Sequence, residues 1–232
     1  MRSLFFLIFF YSGVIILLIL FLPTLLMPKN IVFYGGRLLG YWTKFCLKLI
    51  MAINIEIKGK ENLNYDDKFF VACSHQSIFE TFFLQTLFNK VVFVLKKELT
   101  KIPLFGWYLL KMGCVSIDRN KVTKENINFS EKIYNTLKYT NQTLIIFPQG
   151  TRKTFDDRSK FKKGIGRIYK DTKLACLPIA INSGKAWPRN GRLVPGQTIT
   201  VSILKLYTGG LNTNNFVNDI EKLIYNELNI IS

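Results

Sequence analysis

The chain has 232 residues, 49% of them apolar, so it is long enough for one domain with a packed core, and global disorder is excluded. Lys and Arg number 32 against 15 Asp and Glu, a net charge of +17, which points to anionic partners such as lipid, phosphorylated substrates or nucleic acid. One histidine and four scattered cysteines argue against a zinc site or a disulfide framework, and they exclude any mechanism that needs two histidines.

The apolar residues are concentrated at the N-terminus. No charged residue occurs between Ser3 and Pro28, and residues 4–27 are nearly all Leu, Ile, Phe or Val. At about 1.5 Å per residue this segment is long enough to cross a hydrocarbon core of about 30 Å. A signal peptide would have a shorter apolar region and a small-residue cleavage site. We predict a membrane helix that Pro23 kinks or ends, which leaves open whether it spans the bilayer or enters one leaflet.

An amphipathic helix is predicted next, between Arg37 and Ile53. Its basic and apolar residues each recur with helical spacing. The basic set comprises Arg37, Lys44 and Lys48, and the apolar set comprises Leu38, Trp42, Phe45 and Leu49. Two interpretations stay open: the apolar stripe lies at a membrane interface, or it packs on the domain core. Basic residues after the apolar segment predict that the rest of the chain lies on the cytoplasmic side.

We divide the chain into a membrane-associated segment, residues 1–57, and a globular domain, residues 58–232. In the domain, short β-rich runs alternate with helical stretches. The predicted strands are Lys68–Cys73, Val91–Leu95, Cys114–Ile117, Thr143–Phe147, Leu174–Ile181 and Thr198–Leu206. The predicted helices are Ile78–Phe88, Leu104–Lys111, Lys124–Tyr139, Lys162–Lys170 and Asn215–Leu228. This alternation is typical of an α/β fold with a mixed, largely parallel central sheet flanked by helices. Functional groups in such sheets gather where strands end.

The lone histidine, His75, follows the first predicted strand. Ser77 and Glu80 form a capping-box pattern, which predicts that a helix begins near Ser77 and puts His75 at a strand-to-helix turn. A neutral imidazole there can act as a general base, and Glu80 can reach back to the ring and fix its tautomer. Three alternatives stay open: Glu80 only closes the capping box, His75 is an ordinary turn residue, or Cys73 is a thiol nucleophile paired with His75.

A second motif, Phe147-Pro148-Gln149-Gly150-Thr151-Arg152, ends another predicted strand. Proline stops the strand, glycine lets the backbone turn, and Thr151 and Arg152 offer a hydroxyl and a bidentate donor for phosphate. Eight basic residues lie between Arg152 and Lys170, against two acidic ones. This stretch is either a solvated basic loop or a surface that faces phosphate or a membrane.

Two further strand ends carry charged residues. Asp118 and Arg119 follow one, and Lys96 and Lys97 follow the other. An anionic substrate deprotonated by His75 fits this set of groups better than nucleic acid does. The chain has no recognised nucleic-acid motif, and its strand aromatics alternate with Val, Leu and Ile as in a core.

In this order, these residues resemble the motifs of the PlsC-type glycerolipid acyltransferases, the 1-acylglycerol-3-phosphate acyltransferase family. The four family motifs correspond, in chain order, to His75-x4-Glu80, Gly113–Arg119, Phe147–Arg152 and Leu177–Gly184. Together the motifs cover about half of the chain. Two residues depart from the pattern: Glu80 replaces Asp, which lengthens the side chain by one methylene, and Gln149 replaces Glu, which removes a charge but keeps the ability to hydrogen-bond.

The resemblance implies transfer of an acyl group from acyl-CoA or acyl-acyl carrier protein to the sn-2 hydroxyl of lysophosphatidate. The product is phosphatidate, formed in phospholipid synthesis at a bacterial-type inner membrane. The implied partners are lysophosphatidate, the acyl donor and membrane lipids, with no nucleic acid, no metal and no cofactor beyond the donor. By family analogy, His75 takes the hydroxyl proton, Glu80 orients His75, and no covalent acyl-enzyme forms. The implied substrate-binding residues are Lys96, Lys97, Arg119, Gln149, Gly150, Thr151 and Arg152.

Two other functions remain open at this point. The departures at Glu80 and Gln149 leave room for an acyltransferase that acts on another lysolipid or on glycerol 3-phosphate. A function of another class is a non-catalytic, membrane-tethered basic module that docks anionic lipid or nucleic acid. That hypothesis predicts that His75→Ala leaves function intact and that binding falls steeply with salt.

Overall fold

The computed structural model describes residues 1–63, 68–117, 131, 133–135, 137, 141–189, 191–208 and 212–232. These residues form two compact units. The first unit comprises Met1–Cys46 and Thr81–Leu144, and the second comprises Leu47–Glu80 and Ile145–Ser232.

The helices and strands follow in chain order. The α-helices are α1 (Arg2–Leu20), α2 (Lys29–Met51), α3 (Phe79–Phe83), α4 (Phe105–Met112), α5 (Gly164–Thr172) and α6 (Thr213–Ile230). The strands are β1 (Asn54–Lys58), β2 (Phe69–Cys73), β3 (Val91–Lys96), β4 (Val115–Ile117), β5 (Thr143–Ile146), β6 (Ala175–Ile181) and β7 (Thr198–Ile203). Short 3₁₀ helices cover Leu22–Leu26, Lys60–Asn62, Leu84–Thr86, Lys97–Lys101 and Ser183–Lys185.

All six predicted strands are present, and five of them match within one residue at each end. Strand β1 is not predicted. Its five residues alternate between exposed and half-buried positions, a weak signal directly after a long helix. The predicted boundary between residues 57 and 58 lies within β1. Helix α3 is shorter than predicted because a 3₁₀ turn, Leu84–Thr86, follows it. The predicted helix Lys124–Tyr139 lies mostly outside the described residues.

The sheet of the second unit is mixed, as predicted. Its strand order is β1-β7-β6-β2-β5, and only the β6–β7 pair among these described strands is antiparallel. Helices α5 and α6 contribute aromatic residues to the core. The ring of Phe216 stacks on Tyr169 at a centroid distance of 3.9 Å and meets Phe70 of β2 edge-on.

The site is positioned by three neighbouring parallel strands. Strand β2 lies between β6 and β5, with Val71 opposite both Leu177 and Ile145. The strands are parallel, so their carboxyl ends lie at one edge of the sheet. The chain leaves β2, β5 and β6 at that edge, at residues 74–77, 147–152 and 182–184 respectively.

In the first unit, α1 and α2 form an antiparallel hairpin. The indole N–H of Trp42 donates to the carbonyl of Phe10 at 3.1 Å, and Gly13 lets the Trp42 ring lie directly on α1. Near the tip of the hairpin, Gly35 contacts the ring of Phe21. A side chain at position 13 would overlap the indole, so this close approach requires glycine.

The N-terminal apolar helix ends before its proline, as predicted. Helix α1 stops at Leu20, and Pro23 lies in the following 3₁₀ turn. Among the described residues, α1 is the one helix whose length and apolar composition would let it cross a membrane, a test that a signal sequence or a buried core helix also passes.

The apolar stripe predicted on α2 does not pack on the core. Leu38, Phe45 and Leu49 are all exposed, and Trp42 is half-buried against α1. The buried residues of α2 lie on a different face that includes Leu39, and the helix is therefore apolar on two faces. The interpretation that the predicted stripe fills the core is wrong for its three exposed members.

Candidate active site

The carboxylate of Glu80 is fully buried and accepts hydrogen bonds from several directions. The backbone N–H of Gln76 donates to Oε1 at 3.1 Å, and that of Ser77 donates to Oε2 at 3.0 Å. The hydroxyl of Ser183, which follows β6, also donates to Oε1. A buried carboxylate is stable only when such donors replace its lost hydration. The turn between β2 and α3 supplies two of these donors.

The ring of His75 lies against this carboxylate. Its Nδ1 is 3.3 Å from Glu80 Oε2, so the predicted contact is present, at the long end of hydrogen-bond distances. The ring stacks on Phe147 at a centroid distance of 4.0 Å, and the His75 side chain keeps 14% of its surface exposed. The imidazole is thus held on two sides and still reaches the surface.

This geometry favours one tautomer of His75. A carboxylate beside Nδ1 favours the proton on that nitrogen and leaves the lone pair on Nε2. A neutral imidazole in this state can take a proton from a hydroxyl, and the adjacent carboxylate of Glu80 can stabilise an imidazolium. The capping interaction and the contact with His75 are therefore not alternatives, because Glu80 makes both.

Gln149 is buried and fixes the backbone of His75. Its Oε1 accepts the backbone N–H of His75 at 2.7 Å, and its Nε2 donates to Tyr225 Oη at 3.5 Å. The Tyr225 hydroxyl in turn donates to the carbonyl of Ser159. Both ends of the amide are used within the protein, and an uncharged side chain with one donor and one acceptor fits this position.

We expect Gln149→Glu, which restores the residue typical of the family, to be harmful in this chain. If the Tyr225 hydroxyl goes on donating to the carbonyl of Ser159, its oxygen lone pair faces the new carboxylate and repels it. If the hydroxyl turns to donate to the carboxylate instead, the carbonyl of Ser159 loses its hydrogen bond. The expected cost is about 1–3 kcal/mol in the free energy of unfolding. Chemical unfolding in detergent measures it. The matched control is Gln197→Glu, which adds the same charge at a half-exposed position; equal stability of the two variants would contradict this account.

The remaining residues of the second motif form the turn after β5. Gly150 has a φ of +76°, the left-handed region that glycine adopts without strain, and its N–H donates to the carbonyl of Phe147. Thr151 is exposed, and its hydroxyl lies 3.4 Å from a guanidinium nitrogen of Arg189. The same nitrogen donates to the carbonyl of Arg152 at 3.3 Å, so Arg189 ties this turn to the segment after β6.

The other predicted substrate-binding residues belong to other segments of the chain. Lys96 ends β3 and Lys97 begins the next 3₁₀ helix, both in the first unit. Arg119 and its neighbour Asp118 lie outside the described residues. Substrate binding by these three basic residues stays a prediction.

Cys73 does not suit the role of a nucleophile. It is fully buried at the end of β2, and its thiol donates to the carbonyl of Ser74. Burial and the nearby charge of Glu80 raise the pKa of the Cys73 thiol well above its usual value. Because the thiolate is the reactive form, this cysteine stays inert at neutral pH.

The residues after β6 contribute contacts that the sequence analysis did not predict. Ser183 donates to Glu80, and the backbone N–H of Gly184 donates to the side-chain oxygen of Gln76 at 2.9 Å. Asn182 beside them donates to the carbonyl of Ile231 and accepts from the backbone of Thr200. An Asn-Ser-Gly turn after a buried apolar strand was the available signal, since sites gather at such strand ends.

Comparisons with known proteins agree with these motifs. The protein-family model described as Acyltransferase matches residues 54–182. A 1-acyl-sn-glycerol-3-phosphate acyltransferase of Pseudomonas aeruginosa is 33% identical over 165 residues, which cover 70% of this chain and 63% of that protein. A protein of the same name from Saccharomyces cerevisiae is 29% identical over 157 residues, which cover 64% of this chain and 51% of that protein. The chain therefore spans less than two thirds of the length of these relatives.

A solved structure shares the fold. The crystal structure of the 1-acyl-sn-glycerophosphate (LPA) acyltransferase PlsC from Thermotoga maritima superposes with a TM-score of 0.80. The match covers 100% of this chain and 98% of that chain, at 21% sequence identity. The α/β fold class predicted from the alternation of strands and helices is confirmed.

Proposed function

Because the chain belongs to the Acyltransferase family, as its four motifs predict, we propose that it is a 1-acyl-sn-glycerol-3-phosphate acyltransferase. It would move an acyl group from acyl-CoA or acyl-acyl carrier protein to the sn-2 hydroxyl of lysophosphatidate and release phosphatidate for phospholipid synthesis. The observation that carries this proposal is the pairing of His75 with the buried carboxylate of Glu80 at the edge where three parallel strands end.

The reaction needs one base and no covalent intermediate. The hydroxyl oxygen of the acceptor attacks the thioester carbonyl while its proton passes to Nε2 of His75. The carbon–sulfur bond then breaks, and the imidazolium returns the proton to the departing thiolate. Glu80 stabilises the positive charge that His75 carries between these two steps.

The acceptor's phosphate fits the basic turn after β5. We propose that Arg152 and Thr151 bind it, with Gly150 shaping the turn. Substrate binding by Lys96, Lys97 and Arg119 is a separate part of the proposal, which rests on the family resemblance alone. A guanidinium can hold a phosphate through two parallel hydrogen bonds, which a lysine cannot do. Gln149 has a different part in the proposal, because its amide supports His75.

We expect Arg152→Ala to act mainly on acceptor binding. Loss of a charge-assisted hydrogen bond worth about 1.5–3 kcal/mol corresponds to a fall of about 10–10²-fold in kcat/KM for lysophosphatidate. Steady-state kinetics at varied acceptor concentration measure it. The matched control is Arg167→Ala on α5, which removes the same charge from an exposed pair with Asp171. A kcat/KM as high as that of the control variant would contradict the assignment.

We propose that the enzyme works at a membrane, with residues 1–57 as its membrane-associated segment and residues 58–232 on the cytoplasmic side of a bacterial-type inner membrane. Two observations support the membrane: the apolar length of α1 and the exposed stripe of Leu38, Phe45 and Leu49 on α2. The basic residues that follow α1 favour the cytoplasmic side.

A panel of acceptors tests the substrate assignment. Purified full-length protein in detergent is given one acyl donor and, in parallel, lysophosphatidate, lysophosphatidylcholine and glycerol 3-phosphate. We expect lysophosphatidate to have the highest kcat/KM, because it alone combines a phosphomonoester with an acyl chain. A preference for lysophosphatidylcholine would overturn the assignment, and a preference for glycerol 3-phosphate would change the acceptor while keeping the reaction.

A further inference from the structure

Helix α4 exposes an apolar face. Its residues Tyr108, Leu109 and Met112 are buried, whereas Trp107 is 51% exposed and Leu110 is 57% exposed. These two residues are three positions apart, so they lie side by side on the helix surface. A tryptophan and a leucine next to each other on the surface of a short helix form a small exposed apolar patch.

The segment before α4 also exposes apolar residues, and it carries basic residues beside them. Gly106 packs directly on the backbone of Thr100, which fixes the 3₁₀ helix Lys97–Lys101 against the start of α4. Leu99 and Ile102 are exposed there, at 38% and 44%. The stretch from Lys96 to Met112 holds four lysines and a single acidic residue, Glu98. The basic residues are Lys96, Lys97, Lys101 and Lys111.

Helix α4 also contacts the predicted membrane helix through its buried face. The hydroxyl of Tyr108 donates to the carbonyl of Leu18 at 2.6 Å, which joins α4 to the last turn of α1. Around that turn, Ile15, Ile19 and Leu20 are themselves exposed. A bilayer that receives the end of α1 would therefore lie beside α4, the helix that carries Trp107.

We propose that α4 and the 3₁₀ helix before it form a second membrane-contact surface, and that its partner is the surface of an anionic phospholipid bilayer. Trp107 and Leu110 enter the boundary between headgroups and acyl chains, where tryptophan is enriched. Lys101 and Lys111, which are not among the proposed ligands of the acceptor, face the anionic headgroups. The positive charge of this stretch is complementary to an anionic membrane surface. Its contact with α1 keeps it close to the bilayer that α1 enters.

Quenching by brominated lipid tests this proposal without any measurement of activity, so it stands or falls separately from the proposed reaction. Full-length protein is reconstituted into phosphatidylcholine and phosphatidylglycerol vesicles that carry bromine near the headgroup end of the acyl chains. One variant keeps only Trp107, through Trp42→Phe and Trp187→Phe. The control keeps only Trp187, a buried tryptophan of the second unit. Wild-type protein beside Trp107→Tyr gives the same comparison if either variant folds poorly.

We expect brominated lipid to quench Trp107 about twofold or more beyond its quenching of Trp187, because interfacial tryptophan lies within reach of the bromine. Removing phosphatidylglycerol should weaken the quenching of Trp107. Strong quenching of Trp107 by aqueous acrylamide, with none by brominated lipid, would overturn the proposal in favour of a solvated face. Protection from both quenchers would overturn it in favour of a protein partner, such as a second copy of the chain.

A pair of serine substitutions gives an independent result. Trp107→Ser with Leu110→Ser should lower partition into anionic vesicles about tenfold, because two exposed apolar side chains no longer leave water. The matched control is Leu223→Ser with Ile230→Ser, which removes two exposed apolar side chains from α6. Equal partition of the two double variants would contradict the proposed surface.

Discussion

Replacing His75 with alanine is expected to lower the turnover number about 10²–10⁴-fold, the usual contribution of a general base. The substitution removes the nitrogen that we propose takes the acceptor's proton, and the sequence has no second histidine that could replace it. Binding of the acceptor should persist, because the proposed phosphate ligands belong to another turn. Steady-state kinetics with lysophosphatidate, together with a thermal melt, separate loss of turnover from loss of fold.

A second substitution at the same position separates the ring from its chemistry. His75→Phe keeps a planar ring against Phe147, where the native rings stack at 4.0 Å, and removes both nitrogens. We expect it to be as inactive as His75→Ala. Activity near the wild-type level in either variant would leave only a structural part for His75 and would favour the non-catalytic binding module.

Glu80→Gln is expected to lower the turnover number about 10²-fold while the fold persists. With its oxygen at the position of Oε1, the amide can still accept the backbone N–H groups of Gln76 and Ser77, which lie 3.1 and 3.2 Å from that atom in the native protein. The amide N–H₂ would instead donate to Nδ1 of His75 and drive the ring into the tautomer whose Nε2 carries a proton. That tautomer cannot accept the proton of the acceptor. If Glu80 served only as a helix cap, the Glu80→Gln enzyme would stay active. Wild-type turnover in this variant would therefore contradict the role proposed for Glu80.

Three comparisons sharpen this result. Glu80→Ala leaves the buried N–H groups of Gln76 and Ser77 without their acceptor, at about 1–3 kcal/mol each, so it should lose stability as well as turnover. Ser183→Ala removes one donor and keeps the charge, and its loss of turnover should be the smaller. Glu227→Gln is the matched control, because Glu227 also accepts a serine hydroxyl, that of Ser202; it should leave turnover unchanged.

The fold was largely predictable because its signals are local. Each predicted strand is a short β-branched or aromatic run that a turn residue ends, and those features depend on neighbours in the chain. The strand β1 was missed because five alternating residues carry little signal next to a long helix. In α2 the apolar periodicity was clear but did not identify the buried face. Three members of the predicted stripe are exposed, and a different apolar face of the helix packs on the core.

The His75–Glu80 pair could be predicted from the sequence, but the residues that hydrogen-bond to this pair and hold it in place could not. The spacing of His75 and Glu80, one on a turn and one on the helix that follows, makes their contact a local matter. Ser183 follows β6 and Tyr225 lies on α6, and both are more than a hundred residues from His75 in the sequence. Contacts between residues so far apart leave no local pattern in the sequence. Gln149 shows the difference most clearly, since its position after β5 was predicted, whereas its buried hydrogen bond to the backbone of His75 depends on the pairing of β5 with β2.

The hydrogen bonds in this chain explain both departures from the family motif, Glu80 and Gln149. Glu80 has the reach to accept from the turn at Gln76 and Ser77 and from Ser183 while it still contacts His75. Gln149 has the donor that Tyr225 needs and that a carboxylate lacks. Both substitutions therefore match hydrogen-bond partners that are present, and neither removes the proposed base.

The proposed reaction is tested by measuring phosphatidate formed from lysophosphatidate by the purified protein, with acyl-CoA and acyl-acyl carrier protein supplied separately. We expect a product acylated at the sn-2 position, formed by the wild-type protein and lost in His75→Ala. The absence of product from both donors, with folded protein confirmed, would contradict the assignment of lysophosphatidate as the acceptor.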